Sequence, residues 1–251
     1  MAKQKGIIKL KGTIGDITFY KTEDGYMARE KGGIDANRIK NDPAFQRTRE
    51  NGAEFGRAGK AAKVLRTAMR EILQNCKDRR LSSRLTRDMV KVIQADTVSV
   101  RGERNVIDGE AELLLGFEFN IRSKLSTTLF APFTTEINRV SGAMTVAFDS
   151  FTPVNMVVAP SGTTHFKIMS AGAEVNFEEE SSVIQTSQTA MLPWNAAATL
   201  AITHTNTVTA ASTKPLFLAV GIEFYQEVNG TMYSLKNGSY NSLALVKVSG
   251  M

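Results

Sequence analysis

The sequence predicts an α+β protein: an N-terminal β-meander and a basic helical hairpin, followed by an antiparallel β-sandwich. Three observations point there. Apolar and polar residues alternate in the first thirty positions. Between Phe45 and Ile93 the apolar residues recur at helical spacing. From Phe117 onward alternation returns, interrupted by Asn-Gly and other turn dipeptides.

Residues 5–11 read as the first short strand and Gly12-Thr13-Ile14-Gly15 as a turn. Residues 16–21 read as the second strand, with Ile17 and Phe19 alternating against Thr18 and Tyr20. Glu23-Asp24-Gly25 turns the chain again, Asp-Gly being a favoured hairpin dipeptide, and residues 26–30 form a third strand. Three strands alone are marginal in water, so this meander must pack on something or pair with another sheet.

Gly32-Gly33 ends the meander. Asp42-Pro43 then opens a helix, with an acceptor side chain at the cap and proline at the first helical position. Phe45, Phe55, Ala58, Ala62, Leu65, Met69, Ile72 and Leu73 supply its apolar stripe. Gly52, Gly56 and Gly59 interrupt it, each disfavouring a helix interior by about 1 kcal/mol relative to alanine, and mark a bend or a close approach of another backbone. A second helix over residues 80–96 carries Leu81, Leu85, Met89, Val92 and Ile93 on one stripe. The short link 75–79 makes the two an antiparallel hairpin.

Residues 110–115 read as a short helix. Strands follow at 117–129, 134–139, 144–148, 165–177, 182–191, 200–208, 217–228, 232–236 and 240–248. Ser141-Gly142, Asn229-Gly230 and Asn237-Gly238 read as hairpin turns. The expected division is a basic meander plus helical hairpin over residues 1–105 and a β-sandwich domain over residues 106–251.

Charge follows that division. Residues 1–105 hold 24 Lys and Arg against 13 Asp and Glu, while residues 106–251 hold 7 against 12. A positive end and a negative end on one molecule point to docking, with nucleic acid or with the acidic end of another copy. Arg47, Arg49, Arg57, Lys60, Lys63 and Arg66 run through the first helix. Arg80, Arg84, Arg87 and Lys91 step by four, three and four and so share a face of the second. Arginine there suits bidentate binding of phosphate or carboxylate. No zinc finger, RNP pattern or well-placed helix-turn-helix accompanies these residues.

The chemistry of catalysis is thin. His165, with Ser161 upstream, and His204 both fall on expected strands, where a histidine in a Ser/Thr-rich sheet is the simpler reading. Gly56-Arg57-Ala58-Gly59-Lys60-Ala61 fails the phosphate-loop pattern, because Glu54 and Ala61 stand where Gly and Ser/Thr are required and the segment lies inside a helix. Glu178-Glu179-Glu180 lacks the spacing of a calcium loop and reads as solvated, and Asp108 reads as a helix cap. The single cysteine, Cys76, excludes an intramolecular disulfide and a cysteine-based zinc cluster. No cofactor, metal or small-molecule substrate is expected. No apolar stretch is long enough to span a membrane, and basic residues at the start are not followed by the apolar core of a secretory signal, so cytoplasmic synthesis is expected.

Lys5-Gly6-Ile7-Ile8-Lys9, Gly12-Thr13-Ile14-Gly15 and Thr18-Phe19-Tyr20-Lys21 form an N-terminal block. Asn37-Arg38, Asn41-Asp42-Pro43-Ala44-Phe45, Arg47-Thr48-Arg49-Glu50-Asn51 and Glu54-Phe55 continue it, and Tyr233-Ser234-Leu235-Lys236-Asn237-Gly238 with Tyr240-Asn241 close the chain. Together these resemble a group of uncharacterised proteins encoded in Bacteroidota genomes. The group has no assigned activity, so the resemblance implies a bacterial or phage origin and carries over no catalytic residue.

The sequence therefore predicts a non-enzymatic structural protein that self-assembles as a homo-oligomer into a virion, tail-like particle, shell or filament. The alternative is a nucleic-acid-binding protein using the arginine ridge of residues 79–91 for phosphate contacts.

Overall fold

The structure, a computed structural model, describes residues 2–30, 33–76 and 78–250, with the backbone alone at 236 and 237. Gly32 of the expected Gly32-Gly33 break and Lys77 of the helix link lie outside the described residues. The chain forms two compact units, Met1–Arg49 and Glu50–Met251.

The N-terminal unit is built on a four-stranded antiparallel sheet. Its strands are β1 (Ala2–Lys3), β2 (Gly12–Ile14), β3 (Ile17–Thr22) and β4 (Gly25–Glu30), in the order β1-β4-β3-β2. The second and third expected strands are present as β3 and β4, but residues 5–11 are not a strand. They form a loop that Gln4 ties off: its amide donates to the Leu10 carbonyl (3.3 Å) and accepts from the Leu10 N–H (2.9 Å). Lys9 closes the loop further by donating to the Gln4 and Gly6 carbonyls, at 2.8 and 2.6 Å. The sequence pattern is satisfied by strands on either side of the expected one. Gly12–Ile14 pairs with β3 rather than turning, and the reversal falls at Gly15-Asp16, where Gly15 takes φ +57°.

A short helix that sequence reading missed, α1 (Ala36–Asn41), follows, capped by the Asp35 carboxylate accepting from the N–H groups of Asn37 and Arg38. Asp42 caps a 3-10 turn, Pro43–Phe45, by accepting from Ala44 N–H, and this leads directly into α2 (Gln46–Ala68). The helix start at Asp42-Pro43 is thus where the sequence places it.

Glu50–Met251 is organised around one sheet with both faces covered. After α2 come α3 (Arg70–Leu73), α4 (Leu81–Gln94) and a 3-10 turn at Ala111–Leu114. The strands are β5 (Phe133–Asn138), β6 (Ala143–Phe148), β7 (His165–Asn176), β8 (Ser181–Gln188), β9 (Leu192–Pro193), β10 (Ile202–Thr207), β11 (Leu216–Val228), β12 (Thr231–Ser234) and β13 (Ser242–Ser249), with one helical turn, α5 (Pro153–Met156), between β6 and β7. The long central strands β7 and β11 pair antiparallel from Leu216↔Glu174 to Tyr225↔His165. The far edge of β7 carries β8 and then β9, and the far edge of β11 carries β13 and then β12. A three-stranded sheet, β10-β6-β5, packs across one face.

Strand period explains the double burial. Phe166 and Ile168 of β7, with Leu216, Leu218, Val220, Ile222 and Phe224 of β11, meet Met144, Val146 and Phe148 of β6. The alternate residues, Met169, Ala171, Ala173 and Val175 of β7 and Phe217 and Ala219 of β11, meet Leu65, Met69, Leu85, Met89 and Ile93 of the helices. This is why Leu216 to Phe224 reads as a nearly unbroken apolar run. The change of composition after Asn105 falls inside this unit, whose helices and sheet share one core. Gly172 stands where the two sheets approach closely: a Cβ there would lie 2.9 Å from the Asn206 side chain and 3.0 Å from the Met144 sulfur.

Four expectations need correction here. Residues 117–129 are not a strand. They form isolated bridges, Glu118↔Ala244 and Leu129↔Val157, around a 3-10 turn at Leu125–Thr127. Asn237-Gly238 does not make a hairpin turn, because the 3-10 turn Leu235–Gly238 passes the chain from β12 to β13 along the same edge of β11. Gly52, Gly56 and Gly59 meet no neighbouring backbone, and Phe55 is 62% exposed rather than part of the buried stripe. Asn229-Gly230 does turn a hairpin, both residues at positive φ.

Candidate functional site

The basic residues divide into those the fold consumes and those it leaves free. Arg49 donates to the Ile39 and Asp42 carbonyls, at 2.8 and 2.9 Å. Arg57 donates to the Gly102 and Arg104 carbonyls, at 2.5 and 3.2 Å, holding the loop after α4 against α2. Arg66 hydrogen-bonds the Ser82 hydroxyl across the two helices. Arg84 is inside the unit, paired with Asp78 and donating to the Glu118 and Phe119 carbonyls. The four-residue ridge of α4 is therefore not a continuous surface strip. Arg80 is exposed, and Arg87 and Lys91 both bind Asp88, at 3.0 and 2.7 Å. Arg47, Lys60 and Lys63 are exposed with no ion pair among the described residues. Carbonyl partners neutralise no charge, and although the Arg49 guanidinium also acts on the Asp42 carboxylate, α2 holds six Lys and Arg against two Glu and remains a positive element.

His165 and Ser161 do not form a hydrolytic pair. His165 Nδ1 lies 3.0 Å from the Thr164 hydroxyl and 3.9 Å from Glu227. His204 is 6% exposed, between the two sheets. Its Nδ1 is 3.1 Å from Ser170 Oγ, and Asn206 Nδ2 donates to that same oxygen at 2.8 Å. Ser170 Oγ thus joins Asn206 and His204 in one buried polar cluster, while His204 Nε2 has no hydrogen-bond partner among the described residues. Burial pushes the His204 pKa down. Unfolding then binds a proton below the ordinary histidine value, so this contribution to stability is present above about pH 6.5 and is lost as pH falls through the lower folded value. Thermal melts at pH 7.5 and 5.5 should show a larger loss of melting temperature in the wild type than in His204→Gln; equal losses would show that His204 is not responsible.

Asp108 does not cap the turn at Ala111–Leu114. Its carboxylate accepts from the Asn105 side chain at 2.8 Å. Glu178, Glu179 and Glu180 stand exposed at the turn between β7 and β8, Glu179 accepting from the Asn176 amide at 2.9 Å. Among the described residues no group of three or more His, Cys, Asp or Glu is arranged to hold a metal ion. Among them, too, no helix is long and apolar enough to cross a membrane.

Two clefts open on the second unit. One, of about 450 Å³, combines Arg57 and Lys60 with Asp108, Glu178 and Glu180 around Phe177. The other, of about 260 Å³, contains a carboxylate that sequence reading missed. Glu223 is 3% exposed; Asn75 donates to one of its oxygens at 2.7 Å and Tyr225 to the other at 2.5 Å. Burial and the Glu223 carboxylate push the Tyr225 phenol up. The signal was a lone acid inside the apolar run of β11. With both oxygens satisfied, Glu223 ties the link after α3 to the central sheet.

These features define an α+β protein with a positive helix and an acidic turn. No protein-family model matches the chain, and neither does any curated protein or solved structure.

Proposed function

We propose that the chain is a non-enzymatic structural protein that self-assembles, through its basic helical region and its strand edges, into a larger particle such as a virion, tail-like particle, shell or filament. One observation carries this reading: none of the described residues of Met1–Arg49 is buried. Ile7 is 101% exposed and Ile8 81%, with Ile14, Ile17 and Ile34 also exposed. A four-stranded sheet without a buried face lacks the main term that stabilises sheets, and full burial of one isoleucine alone contributes about 1.5–3 kcal/mol. A second copy supplies the missing surface. The open face of α2, with Phe55 beside Gly52, Gly56 and Gly59, adds apolar surface of the same kind.

The nucleic-acid reading is supported less, because Arg84 is structural and Asp88 shares out the charge of Arg87 and Lys91. Size-exclusion chromatography with light scattering, and negative-stain microscopy, test the proposal. The expected result is concentration-dependent assembly that weakens as salt is raised. A strict monomer at high concentration and low salt would overturn it.

A further inference from the structure

The free strand edges of Glu50–Met251 are not equivalent. The outer edge of β13 is covered by residues 116–119, through Gly116 N–H to Leu245 O (2.9 Å), Phe119 N–H to Leu243 O (2.8 Å) and Leu245 N–H to Phe117 O (3.0 Å). On β10, the Thr205 carbonyl accepts from the Ser187 hydroxyl and the Thr207 N–H donates to the Gln185 side chain. On β5, the Lys247 ammonium sits on the Thr135 carbonyl at 3.0 Å. β8 is different. Among the described residues its backbone bonds only to β7, and although Gln185 and Ser187 in its second half reach β10 through their side chains, its first half, Ser181-Ser182-Val183-Ile184, contains no Lys, Arg or Pro of the kind that blocks an edge. Its first residues follow directly on Glu178, Glu179 and Glu180.

The N-terminal unit holds the counterpart. Lys5-Gly6-Ile7-Ile8-Lys9-Leu10-Lys11 has strand composition, with β-branched residues and alternating lysines, yet is held in a loop by Gln4 and Lys9. It is basic where the turn before β8 is acidic.

We propose that residues 5–11 of one copy add as an antiparallel strand to the free edge at the start of β8 in a second copy, with Ile8 opposite Ser182 and Lys11 drawn to the acidic turn at Glu178–Glu180. The strand that the sequence pattern contains thus forms in the assembly, where main-chain hydrogen bonds to β8 replace the few that close the loop. Donor and acceptor surfaces differ, so the contact is heterologous and repeats from copy to copy into a ring or a filament. This rests on the self-assembly reading and names the surfaces it uses.

Two copies, each with one introduced cysteine, test it, Ile8→Cys and Ser182→Cys. The native Cys76 does not interfere, because burial first, and the neighbouring carboxylates second, push its thiol up to about 12. Mixed under mild oxidation, the two should give the Ile8→Cys/Ser182→Cys disulfide about tenfold in excess of like-with-like dimers. Particles that form without that cross-link overturn these surfaces while leaving self-assembly standing; a chain that never associates overturns both. As a second reading, Lys11→Glu should weaken association about tenfold at low salt, and Glu179→Lys in the same chain should restore it. Unchanged association in the lysine variant, or no restoration by the glutamate change, counts against the contact.

Discussion

Replacing Arg84 with methionine is expected to lower stability by about 3 kcal/mol, read from chemical denaturation at fixed pH and salt. The guanidinium pairs with Asp78, donates to the Glu118 carbonyl at 2.7 Å and the Phe119 carbonyl at 3.1 Å, and lies 5.1 Å from the centre of the Phe117 ring. The Asp78 side chain is 5% exposed. Burial pushes its carboxyl up, but the Arg80 N–H, the Arg84 guanidinium and the Ile121 N–H outweigh that and hold it below the usual carboxylate range. Methionine keeps the apolar stem and removes every donor, leaving a buried carboxylate short of its counter-charge. Arg80→Met and Arg87→Met, on the same helix but exposed, should each change stability by no more than about 0.5 kcal/mol. Equal losses in all three would mean that Arg84 has no special structural role. The same comparison bears on function, since a weakened assembly in Arg80→Met at unchanged stability marks a contact residue.

Asp96→Ala is expected to cost about 3 kcal/mol, again by denaturation. This carboxylate accepts from the N–H groups of Val98 (2.8 Å), Ser99 (2.9 Å) and Asn105 (3.0 Å), closing the loop that follows α4. Burial works against its ionisation, yet the Ser99, Asn105 and Val98 N–H bonds prevail and hold its pKa at about 2. Its folded value lies below the unfolded one, near 3.8. The contribution is therefore complete above the unfolded value and disappears as pH falls through about 2. Asp96→Asn keeps one acceptor oxygen, which serves Val98 and Ser99, and turns a donor toward Asn105, so its loss should fall between wild type and alanine. An asparagine variant as stable as wild type would show that the Asn105 bond contributes nothing.

Much of this fold is legible because its periods are clean. The helix start at Asp42-Pro43, the stripe Leu81, Leu85, Met89, Val92 and Ile93, and strands β5, β6, β7, β10 and β11 all follow from spacing. What spacing hides is pairing. Asn237-Gly238 has hairpin chemistry, but β12 and β13 lie end to end on one neighbour, a choice that the long edge of β11 makes. Residues 5–11 alternate like a strand and are not one here, because no strand among the described residues receives them. The basic surface was legible in outline only. Periodicity puts Arg84 on the same face as Arg80 and Arg87, but not the nearby Asp78 or the open carbonyls of Glu118 and Phe119, which arrive from elsewhere in the chain. Glu223 was overlooked for the converse reason: its partner Asn75 is remote in sequence, so nothing local reveals that the acid is satisfied.

The two-sided central sheet also governs how the protein is made. Apolar stripes of α2 and α4 leave the ribosome before either β7 or β11 exists to cover them, and β11, which closes both halves of the interior, is translated after α2, α4, β6 and β7. Nascent chains carry greasy surface in water until β11 emerges, so chaperone capture during translation, and aggregation of any product that stops short of β11, are built into this topology.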